Sequence, residues 1–271
     1  MDSRPIGVFD SGLGGLSTVR AIKRILPNED IVYFGDTGRV PYGTRSNETI
    51  ETYTAQDIKF LMRHSCKMIV VACGTVSTVA SGIIEKLSVP ATGIAKPSAR
   101  AAAEATKNGK IGIMGTSATI NSGAFDREIH LINREAEIVS VACPLLVSLV
   151  ESSWIEEDNE VTLAAVKRYL KPIIDKGCDT IILGCTHFPL LSPIIQKLAG
   201  EGVTLIDSGL EEAKFVKETL KNHSIENEKG RSGNYSFFVS DKPQNFYSAA
   251  NTLLGEDISS RCEFVDIFKY I

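Results

Sequence analysis

The chain lacks the excess of one charge that would point to a polyionic partner. Its 29 Lys and Arg stand against 33 Asp and Glu, a formal net charge of -4, and no run of five basic residues occurs. Nucleic acid and anionic membrane are therefore poor first choices of partner. No apolar stretch reaches membrane-spanning length, and the opening MDSRPIGVFDSG has neither the basic segment nor the long apolar segment of a secretory leader. These absences predict a cytoplasmic protein. Six cysteines occur, but none forms a C-x-x-C pair, and a chain of 271 residues has no need of disulfide staples. Reduced thiols are expected, with Cys66, Cys143, Cys178 and Cys262 as small buried hydrophobes. Cys185 and His187 lie two apart, yet no further Cys/His cluster at finger or ribbon spacing joins them, which argues against a metal site.

What the chain does have is a series of short apolar runs, each ending in a loop. Ile6 to Phe9 feeds the glycine-rich DSGLGGLS, and Val19, Ile22, Ile25 and Leu26 then recur at helical spacing until Pro27-Asn28. Ile31 to Phe34 is a second strand, followed by GDTGRVPYG, whose three glycines and proline predict a shaped loop of the kind that carries function. Ser46 or Asn47 caps a long helix with Ile50, Tyr53, Ile58, Leu61 and Met62 as its apolar stripe. Met68 to Ala72 is a third strand, ending at Cys73. A helix over Val76 to Leu87, a strand near Val89 to Ile94 and a break at Lys96-Pro97 follow, with an alanine-rich helix from Ser98.

Further strands at Ile111 to Met114, Ile138 to Val141, Thr180 to Leu183 and Val203 to Ile206 alternate with helical stretches, as βαβ units require. Asp207-Ser208-Gly209 switches into another helix. His223 to Asn234 reads as a solvated connection, and strands at Phe237 to Val239 and Glu263 to Val265 flank a helix near Phe246 to Leu254. The expected class is α/β, with two similar doubly wound, mainly parallel sheets. Residues 1-97 plus 208-271 form the first domain and 98-207 the second. KIGIMGTSAT at 110 to 119 echoes PIGVFDSGLG at 5 to 14, which makes an internal duplication plausible.

Two cysteines then stand out as a pair, in IVVACGT and TIILGCTH. A thiol where a buried parallel strand ends and a helix begins lies where open α/β sheets put ligands, and helix N-termini favour thiolates. The strand ends together offer Asp10, Ser11, Tyr42, Gly43, Cys73, Thr75, Thr116, Thr119, Cys185, Thr186 and His187. Hydroxyls, loop amides and Asp10 could hold an amino acid's carboxylate and ammonium, leaving two thiols to meet one carbon from opposite faces. Inverting an α-carbon needs a base on one side and an acid on the other. An unperturbed thiol titrates near ~8.5, so a partner must favour the thiolate, and His187 and Asp10 are nearest in sequence.

Blander readings stand beside these. Gly12 and Gly14 have the spacing of a dinucleotide fingerprint, although Ser17 stands where the third glycine belongs. Asp10, Thr75 and Thr186 could be helix caps, the glycines could only make turns, and Tyr42 could only pack its loop. Taken singly, each cysteine could be core and His187 a structural histidine.

DSGLGGLS, GDTGRVPYG, ACGT, SATINSG and LGCTHFPLL, in that order and across most of the chain, resemble bacterial glutamate racemases. The resemblance implies two α/β domains related by pseudo-twofold symmetry with the active site between them. It also implies a cofactor-independent racemase that supplies D-glutamate for peptidoglycan, with dimers common in the family. Carried over, it makes Cys73 and Cys185 the catalytic bases, with Asp10, Ser11, Tyr42, Gly43, Gly74, Thr75, Thr186 and His187 around the substrate and Glu151 as an auxiliary acid. One departure is Gly74, where the family usually has Asn; it deletes an amide able to hold the substrate. Racemisation of a related amino acid such as aspartate, or amino-acid binding with weak turnover, are the alternatives.

Overall fold

The computed structural model describes residues 2–228 and 230–270, and among these ten strands build two sheets in which every pairing is parallel. The strands are β1 (Ile6–Asp10), β2 (Ile31–Gly35), β3 (Met68–Val71), β4 (Ala91–Gly93), β5 (Lys110–Gly115), β6 (Glu137–Ala142), β7 (Thr180–Leu183), β8 (Thr204–Asp207), β9 (Tyr235–Val239) and β10 (Cys262–Phe264). Their order is β10-β9-β2-β1-β3-β4 in one sheet and β6-β5-β7-β8 in the other. Without β9 and β10 the two orders are the same, so the duplication heard in sequence is a duplication of topology. Register agrees: Ile6 pairs with Ile31 and Met68, and Ile111 with Ile138 and Thr180. Cys73 lies five residues past Met68 and Cys185 five past Thr180, so the two thiols occupy equivalent places.

Helices cover both faces of each sheet, which is why the central strands read as unbroken apolar runs such as MIVV and TIIL, buried throughout. On the first sheet, Leu16–Ile25 and Ser208–Asn222 supply Val19, Ile22, Ala213 and Val216 to one face. Asn47–Arg63 supplies Ile50, Ile58 and Leu61 to the other. On the second sheet, Glu160–Asp175 and Ser192–Ala199 cover one face. Ala95–Ala105 and Ala124–Ile132 cover its opposite face.

Three local expectations differ. The single helix over Val76 to Leu87 is two pieces, Gly74–Val79 and Ser81–Ile84, with Ala80 outside helical geometry at φ -102, ψ 23. Val76, Thr78 and Val79 are β-branched, and Thr78 Oγ1 donates to the Gly74 carbonyl at 2.8 Å, a back-bond that bends helices. The alanine-rich helix starts at Ala95 rather than Ser98, because a proline in the first turn gives up an N–H that has no helical partner. The stretch after His223 is pinned rather than merely solvated. Asn227 is buried and its N–H donates to Glu29 Oε1 at 2.8 Å, and Arg231 pairs with Asp30 at 2.8 Å.

Candidate active site

Each cysteine closes a strand-to-helix turn. Cys73 is the residue before the helix Gly74–Val79, and Cys185 follows Gly184 at the end of β7, just before the 3₁₀ turn Phe188–Leu191. Both line one cavity of about 550 Å³ with walls from both sheets. Ser11, Tyr42, Gly43, Gly74, Thr75, Thr116, Glu151, Thr186 and His187 share that wall. Asp10 and Thr119 do not; they are buried directly behind it.

The loop after each sheet's cysteine strand reaches across to the loop after the other sheet's first strand. Thr75 Oγ1 and Thr116 Oγ1 share a hydrogen bond of 2.9 Å, with Thr119 Oγ1 3.0 Å behind Thr116. In the reciprocal direction Thr186 Oγ1 donates to Asp10 Oδ1 at 3.4 Å, and Asp10 Oδ2 accepts from the Gly12 N–H at 2.9 Å. The glycines of DSGLGG serve close packing, Gly14 across the halves and Gly15 within the first. A Cβ on Gly14 would collide with Thr186 Oγ1, and one on Gly15 would lie 2.5 Å from Asp10 Cβ. Close packing therefore accounts for these glycines without a dinucleotide: Gly14 meets Thr186 of the other half, while Gly12 and Gly15 meet Val40 and Asp10 of their own. Neither Asp10, Thr75 nor Thr186 caps a helix; Gly15 and Cys73 hold the N-cap positions of the first and third helices.

The sulfurs have unequal surroundings. Cys73 Sγ donates to Ser11 Oγ at 3.3 Å, while burial, and after it the nearby Asp10, push the thiol up to about 12. Burial likewise raises the Asp10 carboxyl, against the opposing pull of His187 and the Gly12 N–H. Cys185 Sγ lies 3.7 Å from His187 Nδ1, and His187 Nε2 lies 3.4 Å from Glu151 Oε1, in ion-pair range but not aligned as a hydrogen bond. Burial works against charge on the imidazole, but Cys185, Glu151 and Asp10 overcome it and raise His187 to about 10. An imidazolium beside one sulfur and a hydroxyl beside the other make a donor–acceptor pair across one cavity.

Tyr42 lines the cavity, but its hydroxyl turns away to the carboxylates of Asp36 and, at 3.0 Å, Asp57. Arg39 completes that buried knot, with Nε 2.6 Å from Asp36 Oδ2, Nη2 2.7 Å from Asp57 Oδ1 and Nη1 donating to Gln56. Asp57 is buried beside a second carboxylate, and its carboxyl is raised well above the usual range. The knot holds the loop that presents Pro41, Tyr42 and Gly43 to the cavity. The sequence does not mark Arg39 or Asp57 as part of this knot. Its only local signal is Asp36 and Arg39 three apart in the glycine-rich loop, because Asp57 comes from the middle of the helix that follows, eighteen residues beyond Arg39.

A family model described as Asp/Glu/Hydantoin racemase matches residues 6–215. The chain belongs to that family. It groups with the glutamate racemases, and as such is an amino-acid racemase, an isomerase. It is 44% identical to the glutamate racemase of Geobacter metallireducens over 94% of both chains. A glutamate racemase isoform from Bacillus anthracis matches with a TM-score of 0.93 and 38% identity over 98% of both chains. The Francisella tularensis glutamate racemase, solved in complex with D-glutamate, matches with a TM-score of 0.91 and 36% identity over the full length of both.

Proposed function

We propose that the chain interconverts L- and D-glutamate by a two-thiol mechanism without a cofactor, in the cytoplasm, to supply D-glutamate for peptidoglycan. One observation carries the mechanism: Cys73 and Cys185 stand at equivalent strand ends of a duplicated fold and line the same cavity. One sulfur, as thiolate, takes the α-proton, and the other, as thiol, protonates the opposite face. In the reverse direction the roles exchange. The substrate's ammonium lies toward Asp10, and its carboxylates meet the hydroxyls of Ser11, Thr75, Thr116 and Thr186 and the backbone N–H groups of Gly43 and Gly74. Bringing that ammonium beside Asp10 offsets the negative charge that disfavours a Cys73 thiolate. His187, oriented by Glu151, takes or returns the Cys185 proton.

Within this reading the working units are residues 1-97 plus 208-271 and residues 98-207, and the chain pairs as a homodimer, which sedimentation would test. The activity is tested by incubating L- or D-glutamate with the folded protein in heavy water, following α-proton exchange and optical rotation. Exchange from both enantiomers with decay of rotation to zero is expected. No exchange from either one sinks the reading, and an aspartate control separates it from a related substrate.

A further inference from the structure

Among the described residues the cavity that holds both cysteines is lined by no lysine or arginine. The substrate proposed for it carries two carboxylates against one ammonium. A second cavity of about 510 Å³ adjoins the first and shares Gly43, Thr44 and Ser117 with it. Its wall contains two arginines, one from each half: Arg45, just ahead of the helix Asn47–Arg63, and Arg127 on Ala124–Ile132. Among the described residues no Asp or Glu lines it, and its other polar groups are amides and hydroxyls such as Asn47, Asn121 and Ser122.

Neither guanidinium is spent on a carboxylate among the described residues. Arg100 and Arg231, also on the surface, are each paired with one at 2.8 Å. Arg127 Nη1 donates to the Ser122 carbonyl at 2.6 Å, which fixes the fork and leaves its remaining N–H groups for a ligand. Two cations with no carboxylate partner among the described residues, in a polar recess that opens onto a cavity without lysine or arginine, concentrate anions at its mouth.

We infer that the second cavity is an anion antechamber, in which Arg45 and Arg127 capture the dicarboxylate substrate by one carboxylate on its way to the cysteines. The substrate's identity here rests on the racemase reading above. The two charges act on the net charge of the substrate, approaching or bound, and not on the reacting carbon. Their removal therefore weakens ground and transition states alike and raises KM at unchanged kcat. They are positioning groups for capture, not catalytic ones.

The test is steady-state racemisation of glutamate from about 0.01 M to about 0.15 M ionic strength, which shortens the screening length from about 30 Å to about 8 Å. For the wild type, kcat/KM is expected to fall about threefold or more across that range. The double variant R45Q/R127Q is expected to lose about tenfold in kcat/KM at low salt, within the range of electrostatic steering, with kcat held and the salt dependence flattened. R45K/R127K, which keeps the charges but not the forks, is expected to keep both kcat/KM and the salt slope. R24Q/R168Q, an equal charge change at two exposed helix positions, is expected to keep the wild-type slope. Salt-independent kcat/KM in the wild type overturns the antechamber alone, as does a wild-type slope in R45Q/R127Q or a loss that falls on kcat. Absence of wild-type turnover at every salt concentration overturns the racemase reading and the antechamber with it.

Discussion

Gly74, beside the first cysteine, packs against the carbonyl oxygen of Gly184, beside the second, so closely that a Cβ on Gly74 would sit far inside van der Waals contact. The position where the resemblance leads one to expect Asn thus coincides with a direct backbone approach between the two cysteine loops. Gly74→Ala is expected to destabilise the fold by about 1–3 kcal/mol, the usual cost of overpacking against backbone, and Gly74→Asn by at least as much. Thermal unfolding and KM for glutamate check this. A Gly74→Asn variant of unchanged Tm and lower KM would mean that the loops part easily and that the missing amide is simply a lost substrate contact.

Cys73→Ala and Cys185→Ala are each expected to lower racemisation by about 10²-fold or more, since each removes one partner of the proton transfer. Normal turnover in either variant would take that thiol out of the mechanism. Rotation decay is the readout, with circular dichroism confirming the fold.

The His187 charge carries a pH signature. Its value rises from 6.5 in the unfolded chain to about 10 in the fold, so its stabilising contribution is complete below about pH 6.5 and is lost as pH climbs toward 10. Stability measured by denaturant midpoint is expected to decline across that window in the wild type and to decline less in His187→Asn. Glu151→Gln is expected to shift the wild-type decline to lower pH, because it removes one of the groups that favour the imidazolium. Identical pH profiles for wild type and His187→Asn would refute the assignment.

Arg39→Met would strand Asp36 and Asp57 in a buried site with no cation between them. The expected loss is about 3–5 kcal/mol of stability, as for other broken buried ion pairs. Tyr42→Phe is milder, about 1–3 kcal/mol, because it removes only the donor shared by those carboxylates. Since the Tyr42 hydroxyl faces the knot, its removal is expected to raise KM through loop mobility while leaving kcat within about threefold. A collapse of kcat in Tyr42→Phe would put the hydroxyl in contact with substrate after all.

Strands β3 and β7, and the cysteines at their ends, were legible because a strand buried on both faces needs an unbroken apolar run, and that run ends where the site begins. The echo of residues 5 to 14 in 110 to 119 was legible for the same reason: a duplicated strand order needs a duplicated first strand. Contacts set by tertiary packing left no local trace. Arg39 finds Asp57 eighteen positions away on another element, and the cavity wall from Pro144, Leu145 and Val147 arrives only when the sheets face each other. Helix ends failed where side chains bond back to the backbone, as Thr78 does.

The two sulfurs have unlike neighbours, a hydroxyl at Cys73 and an imidazole with its carboxylate at Cys185. For a reaction between mirror-image molecules in an achiral solvent the equilibrium constant is one, so kcat/KM must be the same in both directions, whatever the site looks like. The unlike neighbours can therefore never make the enzyme favour one hand at equilibrium. All they can do is divide that common value differently, so that whichever enantiomer binds more tightly must, by the same factor, turn over more slowly.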